Sequence, residues 1–141
     1  MVVGVVIVAH GDLSTALISS AELILGAQEN VVGVRLTPED NLDTCLCSLG
    51  GGLNQVDSSE GVLILVDLFG GTPCNAAALS ARDRSFPIVS GVNLPMLLEV
   101  LTNRDCGLSP EELAGLAIQA GQSSILDVSA QLKPKARPVI T

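Results

Sequence analysis

Three apolar runs mark the chain, each closed by a polar turn. Val2-Val3-Gly4-Val5-Val6-Ile7-Val8-Ala9 ends in His10-Gly11-Asp12, Val31 to Leu36 ends in Thr37-Pro38-Glu39-Asp40, and Val62-Leu63-Ile64-Leu65-Val66 ends in Asp67. Short runs of this kind, rich in β-branched residues, read as strands buried on both faces in a parallel sheet. Phe86 to Ser90 forms a weaker fourth run. Between the runs the apolar spacing turns helical: Leu13, Leu17, Ala21 and Ile24 up to Gly26, then Leu42, Leu46, Leu49 and Leu53. Thr72-Pro73 opens a helix to about Arg82, Asn93-Leu94-Pro95 opens one to about Asn103, and Ser109-Pro110-Glu111-Glu112 is a capping box ahead of Leu113, Leu116, Ala117 and Ala120.

Strand and helix therefore alternate, which predicts an α/β fold with a doubly wound, mainly parallel sheet in strand order 2-1-3-4. Three local features carry their own expectations. Thr37-Pro38-Glu39-Asp40 offers a capping threonine, a first-turn proline and an acid for the second helix, and Gly50-Gly51-Gly52 is expected to make that helix irregular. Ser123 to Leu132 is expected to form a final short strand. One domain over 1–132 and a tail or linker over 133–141 follow, the tail holding Lys133, Lys135 and Arg137.

Composition narrows the function. Of 141 residues 48% are hydrophobic, with two Phe and no Tyr or Trp, so the core is aliphatic and the stacking platforms of single-stranded nucleic-acid binders are missing. A net charge of −8 repels phosphate backbones and anionic lipid, which argues against nucleic acid and suits a basic protein partner. The longest apolar run is far short of the roughly 20 residues a membrane helix needs, and the N-terminus lacks the basic residues of a signal peptide, so a cytoplasmic protein is expected. Cys45, Cys47, Cys74 and Cys106 suggest no disulfide framework, and Cys45 and Cys47, two apart on a helix, do not share a face, so no metal is expected. There is no G-x-G-x-x-G, P-loop lysine or G-x-S-x-G motif, so no nucleotide cofactor and no serine hydrolase is indicated.

His10 is the only histidine and stands at the carboxyl end of the first strand, the edge where open α/β sheets collect ligands. With strand one central, His10 and Asp67 face each other across the switch point between strands one and three. A carboxylate that accepts a hydrogen bond from one ring N–H fixes the imidazole tautomer and steadies the positive charge that develops when the other nitrogen attacks. The amides of Gly70, Gly71 and Thr72 at a helix start provide a partially positive nest for a phosphoryl group, with the Thr72 hydroxyl as a further donor. The pattern thus predicts a histidine that accepts phosphoryl, with His10 and Asp67 as catalytic residues and Gly11, Leu68, Phe69, Gly70, Gly71 and Thr72 as the phosphate-binding positions.

Three blocks in order carry a family resemblance: Val8-Ala9-His10-Gly11 with Ala21-Glu22-Leu23-Ile24-Leu25-Gly26, then Gly61 to Ala77 around Asp67-Leu68-Phe69-Gly70-Gly71-Thr72-Pro73, then Ser90-Gly91-Val92-Asn93-Leu94-Pro95-Met96-Leu97-Leu98-Glu99. Over about residues 1 to 130 the chain resembles the IIA component of the mannose family of the bacterial phosphoenolpyruvate-dependent sugar phosphotransferase system. The resemblance implies that the position of His10 takes phosphoryl from the phosphorylated carrier HPr and passes it to a IIB domain. That domain phosphorylates sugar during uptake through membrane IIC and IID components. Asp67 matches the family's orienting aspartate, and Gly70, Gly71 and Thr72 match its phosphate-contacting loop. It also implies a homodimer that exchanges a C-terminal strand, a role for Ser123 to Leu132. The family's fused IIB domain has no counterpart after the linker-like tail, which leaves a free-standing subunit or a fragment.

Two rivals use the same sheet. A receiver-like module phosphorylated on Asp67 needs acidic metal ligands after strand one, where Ala9-His10 stands. The phosphoryl-carrier subunit of dihydroxyacetone kinase shares the histidine, but the Asp-Leu-Phe-Gly-Gly-Thr-Pro loop favours the sugar-transport branch. A regulatory phosphohistidine protein, which signals to a partner without transporting sugar, is the alternative of a different class.

Overall fold

The computed structural model describes residues 2–134. Four strands, β1 (Gly4–His10), β2 (Val31–Leu36), β3 (Val62–Val66) and β4 (Ile88–Ser90), form a parallel sheet in the order β2-β1-β3-β4. Five helices connect and cover them: α1 (Leu13–Leu25), α2 (Leu42–Gln55), α3 (Thr72–Ala81), α4 (Leu94–Asn103) and α5 (Pro110–Ser123). A short α6 (Val128–Leu132) follows. The predicted doubly wound sheet and its strand order are both present.

The pleat of β1 explains the two layers. Val3, Val5 and Ile7 point to one face and join Leu63, Leu65, Leu97, Val100, Leu113 and Ala117 beneath α1, α4 and α5. Val6 and Val8 point to the other and join Val34, Leu49, Leu53, Ile64, Val66, Ala76 and Ala77 beneath α2 and α3. Because both faces of β1 and β3 are covered, neither strand alternates with polar residues. Small residues set the close approaches: fully buried Ser14 donates its hydroxyl to the Val34 carbonyl at 3.1 Å, opposite Gly33, where α1 lies against β2.

Three local expectations are corrected. Thr37 does not cap α2; its amide and hydroxyl both donate to the Asp40 carboxylate, closing a turn, and Asn41 and Thr44 make the reciprocal capping box instead. The helix then runs unbroken through Gly50, Gly51 and Gly52, because Gly52 packs its bare Cα on Val34 and Val32 while the flanking apolar residues hold both ends. The expected last strand over Ser123 to Leu132 is helical at Val128–Leu132, where the Asp127 side chain accepts from the Ala130 amide at 3.1 Å and caps a turn that needs no sheet partner. β4 is also shorter than the run Phe86 to Ser90 suggests, since Pro87 has no N–H and the strand starts only at Ile88. Of the tail expected over 133–141, residues 135–141 lie outside the described residues.

Candidate functional site

His10 is the last residue of β1, preceded by six buried residues, and its side chain is half exposed at the sheet's carboxyl edge. It follows Val6 and Val8 in the pleat, so it leans toward the α2 and α3 side. Val8 pairs with Val66, which brings Asp67, just beyond β3, beside it. One oxygen of Asp67, Oδ2, accepts from the His10 backbone amide at 2.9 Å and meets the ring Nδ1 at 2.7 Å; Oδ1 accepts from the Leu68 amide at 3.0 Å. An ionised carboxylate only accepts, so Nδ1 carries the proton and Nε2 keeps the lone pair.

Asp67 is held in that ionised form. Burial opposes its charge, but the hydrogen bonds from the His10 amide and ring, the charge of His10 and the Leu68 amide together outweigh it and hold the carboxyl below its ordinary pKa. Its side chain is only 9% exposed, so the acceptor has little water to turn to.

The loop after Asp67 approaches the other side of the ring. Gly70 adopts φ +91°, a left-handed angle that favours glycine. Gly71 has an ordinary extended backbone and is required for space: a Cβ there would sit 3.2 Å from His10 Cε1 and 3.2 Å from Leu68 Cδ1. Gly71 is also the N-cap of α3, a glycine with no side chain to cap it, so no side-chain cap occupies the helix's amino terminus beside the imidazole. Pro73 contributes no N–H, leaving Gly71, Thr72 and Cys74 as the amides of this positive helix end. The structure therefore brings His10, Asp67, Gly70, Gly71 and Thr72 together. Gly11 turns the chain into α1 with φ +60°, and its amide donates to the Leu36 carbonyl at 2.7 Å. The side chains of Leu68 and Phe69 face outward, Phe69 with 85% of its surface exposed.

Two features escaped the sequence reading. The backbone amide of His10 as an Asp67 donor has no sequence signal. The pair between Arg35 and Asp12 had a faint one, since Arg35 is the only charged residue in the four strands and lies in register with Ala9. Its Nε and Nη2 reach the same Asp12 oxygen, at 2.6 and 2.5 Å. Among the described residues no three His, Cys, Asp or Glu side chains gather as a metal site, and Cys45 is buried while Cys47 is exposed. No described helix is long and apolar enough to cross a membrane.

Such a constellation can hold an anion between an imidazole nitrogen and a helix amino terminus. Residues 4–117 match the family model EIIA-man, described as the PTS system fructose IIA component. The chain is 37% identical over 139 residues to the PTS system mannose-specific EIIAB component of Escherichia coli, covering 98% of this chain and 43% of that protein. It therefore spans less than half the length of that relative. It is 39% identical over 104 residues to the PTS system fructose-specific EIIA component of Bacillus subtilis, covering 73% of this chain and 71% of that one. Among solved structures, the phosphotransferase system component EIIA from Streptococcus agalactiae superposes with a TM-score of 0.83 at 30% identity, covering 91% of this chain and 98% of that one. Fold, aligned length and identity agree, and the chain belongs to the EIIA-man family of phosphotransferase-system IIA components.

Proposed function

We propose that the chain is a cytoplasmic phosphocarrier in which Nε2 of His10 takes a phosphoryl group from phosphorylated HPr and gives it to a IIB domain, for sugar uptake through IIC and IID components. The observation that carries the reading is the pair of hydrogen bonds from the His10 backbone amide and ring Nδ1 to one Asp67 oxygen, which commits Nδ1 as donor and leaves Nε2 as nucleophile. In transfer, the lone pair of Nε2 attacks phosphorus, the bond from phosphorus to the donor's histidine nitrogen breaks, and that nitrogen recovers its lone pair. The positive charge left on the His10 ring is balanced by Asp67 through Nδ1–H. The open end of α3 at Gly71 and Thr72, preceded by Gly70, stabilises the phosphoryl oxygens.

The half-exposed ring suits a group that must meet two successive protein partners, and the acidic chain suits a basic donor. Residues 1–132 are the carrier unit in this reading. Exposed Ile125, Leu126, Val128 and Leu132 support pairing of the C-terminal segment with a second copy as a homodimer. Intact mass after incubation with phosphoenolpyruvate, Enzyme I and HPr tests the proposal. One acid-labile phosphoryl group, absent in His10→Ala and lost on adding a IIB domain, is the expected result; no gain by the folded protein would refute it.

A further inference from the structure

The loop that follows the Asp67 carboxylate carries one of the chain's two aromatic rings, Phe69; the other is Phe86. Phe86 packs against the core beneath α2 and α3, whereas Phe69 keeps 85% of its surface in solvent. The loop beneath the ring is fixed. The Leu68 amide donates to Asp67 Oδ1 at 3.0 Å, Gly70 takes φ +91°, and the Gly71 carbonyl accepts from the Asn75 amide at 2.9 Å as α3 begins. Leu68, half exposed, stands beside the nucleophile, since its Cδ1 and His10 Cε1 both lie 3.2 Å from the point where a Gly71 Cβ would be. Scattered apolar residues on a surface are ordinary; two in succession next to the only histidine are not scattered. Held out on an anchored loop they contribute little to the fold, because an apolar side chain stabilises only when buried. A protein partner would bury them, and aromatic rings at the dry centre of an interface carry much of its binding.

Charge at this edge of the sheet selects the partner. Glu39 and Asp43 are exposed where the chain enters α2, and Arg35, at the end of β2, is matched by Asp12. The other Lys and Arg among the described residues lie elsewhere: Arg82 and Arg84 beyond the far end of α3, Arg104 beyond α4, Lys133 after α6. We propose that Phe69, with Leu68 beside it, is the docking point for the protein that delivers phosphoryl to His10, a partner with an apolar patch and basic residues around its phosphohistidine. The inference rests on the carrier reading above. Docked there, the partner covers the exposed ring of Phe69 and brings its phosphohistidine nitrogen opposite His10 Nε2. Truncating the Phe69 side chain removes the anchor and leaves the backbone amides of the loop in place.

The test compares two donors. Phosphorylated HPr has a surface to dock; phosphoramidate has none, and in its reaction the phosphorus–nitrogen bond breaks, ammonia leaves with a proton, and phosphorus bonds to Nε2. Initial labelling rates over a range of donor concentrations are read by intact mass for wild type, Phe69→Ala, Phe69→Tyr and Leu23→Ala. Leu23, 89% exposed near the other end of α1, is the control for an exposed apolar residue away from His10. In Phe69→Ala the ratio of the HPr-dependent to the phosphoramidate-dependent rate constant is expected to fall by roughly tenfold or more, the loss that follows truncation of an aromatic anchor, with KM for HPr rising more than kcat falls. Phe69→Tyr, which keeps the ring, and Leu23→Ala are expected to keep the wild-type ratio. An unchanged ratio in Phe69→Ala would overturn the inference. So would equal slowing with both donors, which would make Phe69 part of the phosphate site, or an altered oligomeric state with transfer rates intact, which would assign the ring to a second copy of this chain. Each of these outcomes leaves the carrier reading standing, whereas a wild type that accepts from neither donor would overturn both.

Discussion

Oδ2 of Asp67 is shared by two donors from the same residue, the backbone amide of His10 at 2.9 Å and its ring Nδ1 at 2.7 Å. The backbone bond fixes where the carboxylate sits relative to the end of β1, and the ring bond fixes where the imidazole sits relative to the carboxylate. Register between β1 and β3 is thereby converted into a single ring orientation. A largely buried acceptor that both locates an imidazole and sets its tautomer is a mechanical part as well as an electrostatic one.

Replacing Asp67 by Ala removes both functions. The ring loses its tautomer preference and its partner for positive charge, so phosphoryl transfer from HPr is expected to fall by roughly 10²- to 10⁴-fold, the usual range for a lost acid–base or orienting group. The fold should persist, because the strand cores are independent of this side chain. Stopped-flow or quench measurement of labelling, with far-UV circular dichroism alongside, checks both halves; an unchanged rate would remove Asp67 from the mechanism.

The same carboxylate predicts a pH dependence of stability. Its folded-state pKa is depressed, with burial opposed and outweighed by the His10 and Leu68 hydrogen bonds. The stabilisation it supplies is fully present above the unfolded carboxylate value of about 3.9 and is lost as pH falls through the lower folded value. Asp67→Asn, a neutral isostere, is therefore expected to melt below wild type at pH 7 and to converge with it as pH drops below about 4. A gap in Tm that stays constant down to pH 2 would contradict the linkage.

Much of this was legible in advance because β1 and β3 advertise themselves. Uninterrupted Val and Ile runs leave few options other than central parallel strands, and once their order is set, His10 and Asp67 must meet. What the residues do not reveal is competition between local partners. Thr37 is a good cap by type, but Asp40 lies within reach of its amide and hydroxyl and Asn41 offers the helix a better start. At 123–132 the apolar pattern suits a strand, yet a strand needs an edge to pair with, whereas Asp127 caps α6 with local atoms alone. Asp12 is the reverse case, a cap by type that a residue 23 positions away diverts.

Gly71 separates space from backbone freedom. Its φ of −83° is open to any residue, so Gly71→Ala strains nothing in the main chain. The added methyl would lie 3.2 Å from His10 Cε1, and the imidazole must give way by a few tenths of an ångström. Transfer is expected to slow several-fold with Tm little changed, and the His10 ring resonances should shift in NMR spectra. Wild-type rate in this variant would mean that the ring has slack the structure does not show.

Arg104 lies near the amino ends of the strands, remote from His10. Only 5% exposed, it donates to the carbonyls of Val3, Asn30 and Glu29 and to the Gln28 side chain, tying the end of α4 to the entries of β1 and β2. Arg104→Met fills much of the volume but leaves those acceptors unpaired, so a loss of about 2–4 kcal/mol is expected. Denaturant titration measures it. Phosphoryl acceptance by the variant that remains folded should match wild type, since no bond links this latch to the His10 edge.

The glycine run of α2 supplies a prediction whose sign changes along three residues. Gly50 and Gly51 have nothing within 4 Å of a built Cβ and have helical angles, so alanine there relieves the backbone entropy that glycine loses on folding. Each of Gly50→Ala and Gly51→Ala is expected to stabilise by about 0.5–1 kcal/mol. At Gly52 the same methyl would stand 3.0 Å from Val34 Cγ2 and 3.5 Å from Val32 Cγ1, pressing α2 off β2, and the packing cost offsets or exceeds the helical gain. Thermal melts of the three single variants read the pattern directly. Equal stabilisation at all three positions would mean that α2 can move away from the sheet freely, and that the close seat of Gly52 on Val34 is not what keeps the helix continuous.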